Sequence, residues 1–373
     1  MGGRMSKSLI VCIAVLLALG GCKQESDPTE SSVETRTLRI VDSIGVEMGD
    51  SAYVIGSIAA IGHTPSGAIA ILDRPSANVK LYDRNGNHIS TIGGRGEGPG
   101  QLTSPDAMVL WPCGDISILD PYRGGYFRYD SQGNYIGRDL EITRNVHLDI
   151  IAMSDSEFVS VKSRFLLNEG ETPRISLFIG RFPFSIEPET VYWETVLVYD
   201  PATFGDDVLK NYFYMSWTAD PETGDVYIFP FNECDYRILR YDSHGALLGE
   251  IVSEAPVVEK TQLEIDQERD FIRGWLTALE GGEPQYSVDC EPYPYRLPVS
   301  DLDVDAQGNI WARRGTEDIP YFDIWTPEGE LIGHAVLEDA SPESRNWSFT
   351  IDRGGIVAFD QYPEDFQRIF VIE

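Results

Sequence analysis

Between Gly67 and Gly133 the hydrophobic pattern of the chain is written twice. The first pass is Gly67-Ala-Ile-Ala-Ile-Leu-Asp73, a loop, Val79-Lys-Leu-Tyr-Asp83 and the turn Arg84-Asn-Gly86. The second is Gly114-Asp-Ile-Ser-Ile-Leu-Asp120, a loop, Tyr126-Phe-Arg-Tyr-Asp130 and Ser131-Gln-Gly133. The leading glycines are 47 residues apart, and Tyr82 and Tyr129 each follow their glycine by 15. Apolar runs this short, bounded by Gly, Asp and Asn, mark strands joined by tight turns rather than helices. A fixed period in this range marks a repeat architecture.

The pattern extends along the chain. A first unit at about 53–96 predicts strands near Ile58–Ile61, Ala68–Leu72, Val79–Tyr82 and His88–Ile92, and a second occupies about 104–143. The third, about 147–200, is poorly phased, with Asp155-Ser-Glu-Phe-Val-Ser-Val161 in place of the glycine-led strand. The fourth (about 212–255) restores the pattern in Gly224-Asp-Val-Tyr-Ile-Phe229, and the fifth (about 298–338) in Gly308-Asn-Ile-Trp311. The last unit begins near Phe349 and stops after Arg368–Ile372, one strand short, while Thr37–Ile44 reads as an isolated strand. Pairing the two removes both free edges. The expectation is an all-β, six-bladed β-propeller of four-stranded antiparallel blades, its ring closed by an N-terminal strand.

One insertion, 255–297, interrupts the series between blades four and five. Its first half, Lys260–Leu279, reads as a helix with Phe271, Ile272, Trp275, Leu276 and Leu279 on one stripe. Its second half is a Pro/Tyr loop at 281–298. Two placements fit: a lid over part of the central opening, or a helix packed on the propeller flank.

Ile92-Gly-Gly-Arg-Gly-Glu-Gly-Pro-Gly-Gln-Leu102, followed by Ser104-Pro105, resembles the inter-blade signature of NHL-type six-bladed β-propellers. The chain is similar as well to the six-bladed propeller lipoproteins of bacterial envelopes. The resemblance implies the fold and leaves the function open, because propellers carry enzymes and binding modules alike.

The N-terminus adds an address. Arg4 and Lys7 precede the apolar run Leu9–Leu19, too short to span a bilayer, and Gly20 and Gly21 lead into Cys22. Leu19-Gly-Gly-Cys22 resembles a bacterial lipobox, which implies lipid attachment at Cys22 after removal of a signal peptide, 1–22. A polar tether at 23–34 follows, and then the propeller body, 35–373. The expected location is the bacterial cell envelope, held by a lipid anchor alone. Lys23 favours the outer membrane in a Gram-negative organism. A formal net charge of −31 argues against nucleic acid as a partner.

In this topology the first-to-second and third-to-fourth strand hairpins share one face. They are tight glycine turns here. The opposite face carries longer, varied loops and the insertion, so candidate chemistry belongs there. Arg74, Arg95, Arg123, Arg313 and Arg314 fall on it, as a cluster for an anionic ligand or as partners of neighbouring acids. Asp73, Asp120 and Asp360 each close a strand, where a carboxylate caps backbone N–H groups of a loop. The five histidines show no metal-ligand spacing, and no nucleophile elbow or phosphate loop occurs, so no metal or cofactor is expected. Export permits disulfides. Cys234 and Cys290 both lie on the variable face and are expected to bridge and pin the insertion, leaving Cys113 free.

Two function classes follow. One is a binding module for a peptide, a glycan or another envelope protein. The other is a lyase- or lactonase-type enzyme holding Ca²⁺ through Asp, Glu or Asn side chains from several blades. Mass spectrometry of the mature protein tests the covalent expectations, which are an acylated Cys22 N-terminus and a Cys234–Cys290 linked peptide. A linked peptide containing Cys113 instead would reverse the face assignment.

Overall fold

The glycine-led runs become strands buried on both faces, which is why they read as continuous apolar stretches and not as alternation. In the computed structural model, residues 33–141, 148–167, 172–183, 187–198, 211–231, 235–280 and 291–373 are described. Cys22, Cys234 and Cys290 lie outside them, as do the side chains of Trp275, Leu276 and Leu279. Residues 33–373 belong to one compact unit. No described helix is long and apolar enough to cross a membrane.

Six four-stranded antiparallel blades form the ring. Blade one is β3 (Ile58–His63), β4 (Ile69–Asp73), β5 (Asn78–Tyr82) and β6 (His88–Gly93). Blade two is β7 (Ala107–Leu110) to β10 (Tyr135–Glu141), and blade four is β15 (Ser216–Ala219) to β18 (Leu247–Ser253). Blade three, the hardest to phase, has the longest strands: β12 (Glu157–Leu166) and β13 (Arg174–Pro183) run ten residues each. Blade five is β19 (Val299–Val304) to β22 (Leu331–Leu337), and blade six contains β23 (Trp347–Asp352), β24 (Gly355–Asp360) and β25 (Ile369–Ile372).

The N-terminal segment closes the ring, but as two strands rather than the single Thr37–Ile44 expected. β1 (Thr35–Leu38) pairs parallel with β22 on the outside of blade five, and β2 (Ile40–Ile44) pairs antiparallel with β25 in blade six. The break falls at Arg39, whose N–H and C=O both bond to Glu373, at 2.7 and 2.9 Å. The chain steps there from one blade edge to the next. One straight strand cannot follow both.

Among the described residues the buried apolar side chains fall into six clusters, one at each junction between neighbouring blades. Leu38 belongs to the cluster between blades five and six, and Ile44 to the one between blades six and one.

The repeated aspartates do the work expected of them. Asp73 accepts bonds from the Gly56 and Ser57 N–H groups (3.1 and 3.3 Å), and Asp120 from those of Thr103 and Ser104 (2.5 and 3.1 Å). Asp360 accepts from Tyr362 N–H at 2.9 Å. Asp73 and Asp120 tie the crossing into a blade to a buried strand end, and Asp360 ties a loop to a half-buried one. The hairpins use a second device: Asp83 accepts from the N–H groups of Asn85 and Asn87 (2.9 and 2.8 Å) while Gly86 sits at φ +74. A side chain at Gly86 would be strained there.

Ring closure through β2 predicts a sharp contrast between two neighbouring truncations. Ile44→Ala, at a site 2% exposed, should cost about 2–4 kcal/mol in chemical denaturation, and Val41→Ala, 52% exposed, less than about 0.5. Equal effects would show that β2 is not part of the cooperative core.

Candidate ligand cavity beneath the inserted helix

The insertion begins with a sequence that starts helices. In Thr261-Gln-Leu-Glu264 the Glu264 N–H donates to Thr261 Oγ1 (3.3 Å), and the Thr261 N–H donates to Glu264 Oε2 (2.7 Å). This reciprocal capping box opens helix α1, Gln262–Glu280. Ile272 is buried beneath it, and Phe271 lies edge-on to Phe213 at 5.7 Å.

Ionic pairs bolt α1 to blades four to six. Glu264 Oε1 takes Arg296 Nε at 3.0 Å and is also paired with Arg345, in the crossing from blade five to blade six. Arg296 donates further to Asp318 at 2.8 Å. One turn along, Glu268 Oε2 holds Lys260 Nζ at 2.5 Å while its Oε1 accepts from the Tyr214 hydroxyl. Lys260 lies 5.1 Å from the centre of the Tyr214 ring. Burial lowers the Lys260 pKa, and the Glu268 charge opposes that shift.

Between α1 and the ring lies a cavity of about 360 Å³. Its floor includes Ser300 and Asp301 of β19, the innermost strand of blade five, and its sides include Arg313, Trp347, Ser348 and Gln361. A larger trough of about 730 Å³ shares Gln267, Asn346 and Tyr362 with it and runs on to Phe366 and Arg368.

The floor is electrostatically unusual. Asp301 and Asp303 are two apart on β19, so the pleat puts both on one face. Burial pushes the Asp301 carboxyl up to about 6, opposed by the Arg313 charge. Asp303 is pushed well above the usual carboxylate range by burial and then by Asp301, although it accepts from the Ile351 N–H at 3.2 Å. Asp149, on the innermost strand of blade three, is raised by burial too and accepts from the Tyr212 hydroxyl at 2.9 Å. Among the described residues no group of three or more His, Cys, Asp or Glu converges to hold a metal ion.

The five arginines singled out from the sequence separate. Arg74 pairs with Asp106 at 2.7 Å. Arg95 donates to the carbonyls of Pro75 (2.8 Å) and Thr103 (3.0 Å), and Arg123 to those of Gly96 (3.0 Å) and Gln101 (3.1 Å). These three sit at blades one and two. Arg313 and Arg314 line the cavity instead, pointing to opposite sides of β20 (Ile310–Arg314). Arg314 Nε is held by Asp323 at 2.8 Å. Arg313, 8% exposed, donates to the carbonyls of Trp347 (2.5 Å) and Arg345 (2.8 Å) over the Phe349 ring; burial pushes it down to about 10, so it stays charged at neutral pH. Cys113 is exposed and free.

Asp301, Asn346, Ser348, Gln361 and Tyr362 were not singled out in the sequence. Only Asp301 carried a signal: Asp-Leu-Asp occupies an innermost strand where blades one and two have Ile58-Ala-Ala-Ile61 and Ala107-Met-Val-Leu110. The other four lie in loops and at strand ends without a motif.

No family model matches the chain, and no curated protein does. Among solved structures it is similar to a DUF4221 family member from Bacteroides vulgatus, with 10% identity, 90% of this chain and 97% of that chain covered, and a TM-score of 0.48. It is similar also to a Bacteroides fragilis protein provisionally described as exported (9% identity, 91% and 98% covered, TM-score 0.45). A third is a gluconolactonase from Xanthomonas campestris (12% identity, 86% and 87% covered, TM-score 0.43).

The raised carboxyls make stability pH-dependent in a defined sense. The folded chain holds the Asp301 proton more tightly than the unfolded chain does, so the stabilisation is complete at low pH. It is lost as pH rises through about 6. The stability of Asp301→Asn relative to wild type should therefore improve by about 1–3 kcal/mol between pH 4 and pH 7.5 in denaturant titrations. A pH-independent difference would place Asp301 in water.

Proposed function

We propose that the chain is a lipid-anchored, extracytoplasmic propeller that binds a ligand in the cavity beneath α1. The observation that carries this reading is the arrangement of charge around the insertion. The ionic side chains bolt α1 to the rim, and a cavity in the usual size range of ligand sites stays open below. Filler packed on the flank would close that space. The finer assignments, NHL-type blades and an envelope lipoprotein, rest on Ile92–Leu102 and on Leu19-Gly-Gly-Cys22.

A second reading has one observation in its favour. Asp301 sits at the floor of the cavity with its proton held up to about 6, the range in which a carboxyl transfers protons at neutral pH. That supports an enzyme using Asp301 as an acid or base. For the calcium-dependent version, no three His, Cys, Asp or Glu side chains converge among the described residues, so its donors would have to include Asn side chains.

The test fills the cavity. Wild type and Ser348→Trp, matched for melting temperature, are incubated with envelope extract, washed, denatured and screened by mass spectrometry for released small molecules and peptides. Species retained by wild type and lost from Ser348→Trp are the expected outcome. Identical sets from both proteins would refute a ligand site in this cavity, and chemical conversion of the retained species that stops in Asp301→Asn would move the assignment to the second reading.

A further inference from the structure

The lining of the cavity divides into groups already committed to the protein and groups that are not. Every cation in it is engaged: Lys260 by Glu268, Arg296 and Arg345 by Glu264, Arg314 by Asp323, and Arg313 by main-chain carbonyls with Asp301 opposite its charge. Among the described residues no lining cation is left to meet a phosphate or carboxylate, which only accept hydrogen bonds and need donors. Of the acids, Glu264 and Glu268 are spent in the same pairs, and Asp301 and Glu317 are the lining carboxylates without an ion pair among the described residues.

The uncommitted polar groups are neutral. Gln267, Asn346, Ser348 and Gln361 line the cavity, and none of their side chains makes a hydrogen bond within the described protein. Three of the four are carboxamides, each presenting two N–H donors beside a carbonyl acceptor. A hydroxyl group also donates and accepts, so three carboxamides lining one cavity match a ligand rich in hydroxyls. Asp301 adds an acceptor on the floor whose only hydrogen bond among the described residues is from the adjacent Leu302 N–H, at 3.0 Å.

Between these groups stand aromatic rings. Tyr362, 51% exposed, lines the cavity and the trough beyond it. Trp347 is held rigid by stacking on Phe370, ring centroids 4.2 Å apart at 9°. Flat apolar faces next to bidirectional hydrogen-bonding groups suit a molecule whose ring carries C–H faces and an equatorial rim of hydroxyls.

We infer that the cavity and its adjoining trough take a neutral saccharide, with Asn346, Gln361 and Gln267 bonding its hydroxyls and Tyr362 packing on a ring face. The inference rests on the binding reading above and adds the chemical class. The shared lining of cavity and trough suits a short chain of sugar units extending towards Phe366.

The experiment is saturation-transfer NMR followed by calorimetry. Probes are neutral hexoses, N-acetylhexosamines and their di- to tetrasaccharides, beside a control set of acidic sugars, amino acids and basic tripeptides. A neutral saccharide should bind, with affinity unchanged between 50 and 500 mM NaCl, because no charge pair forms. Asn346→Ala and Tyr362→Ala, melting like wild type, should each weaken it by about tenfold or more. Binding confined to the charged probes and abolished by Ser348→Trp would overturn the saccharide assignment and leave the cavity reading standing. Saccharide binding that Ser348→Trp does not disturb would place it outside the cavity and overturn both. Failure of every neutral saccharide in the set overturns the inference alone.

Discussion

Everything in this molecule depends on each blade burying its faces against its two neighbours. A single four-stranded blade has no other surface on which to bury its apolar residues, so stability exists only when the ring is complete. The six apolar clusters, one per junction, are the physical expression of that constraint. It explains why the N-terminal segment is recruited: without β2, blade six has a bare edge and Ile44 leaves its place between blades six and one. Placing Leu38 in the previous junction as well lets one short segment, Thr35–Ile44, stitch two blades together.

A closed ring makes a rigid face on which loops can be specialised. Asp73 and Asp120 tie the crossings down through buried carboxylates, so loop length can vary without loosening the strands beneath. The insertion exploits this at blades four to six. Glu264 serves twice, as the partner of Thr261 in the capping box and as the anion between Arg296 and Arg345. Folding of the helix and docking of the helix thus share one side chain, and the charges consumed in docking leave neutral groups to face the cavity.

The same economy accounts for the arginines. On a chain of net charge −31 an isolated arginine finds acids or carbonyls close by. Arg74, Arg95 and Arg123 are absorbed in this way near blades one and two. Arg313 is absorbed more deeply, three carbonyls receiving its donors while Asp301 offsets its charge. Asp301 and Asp303 are held in a part of the ring where ionisation is costly, which is the root of the expected pH dependence.

Local physics made much of this legible in the sequence. Gly-led apolar runs specify strands buried on both faces, Asp-x-x-Gly specifies the hairpins, and Thr261-Gln-Leu-Glu264 specifies a helix start. Each signal is carried by residues within a few positions of one another, so blade boundaries and α1 could be placed from sequence alone. The split of the N-terminal strand at Arg39, the commitment of all five candidate arginines, and the meeting of Asp301, Asn346, Gln361 and Tyr362 around one cavity were decided only in three dimensions. Those residues come from three different segments of blades five and six, and what brings them together is the packing of one blade on the next, which no local pattern encodes.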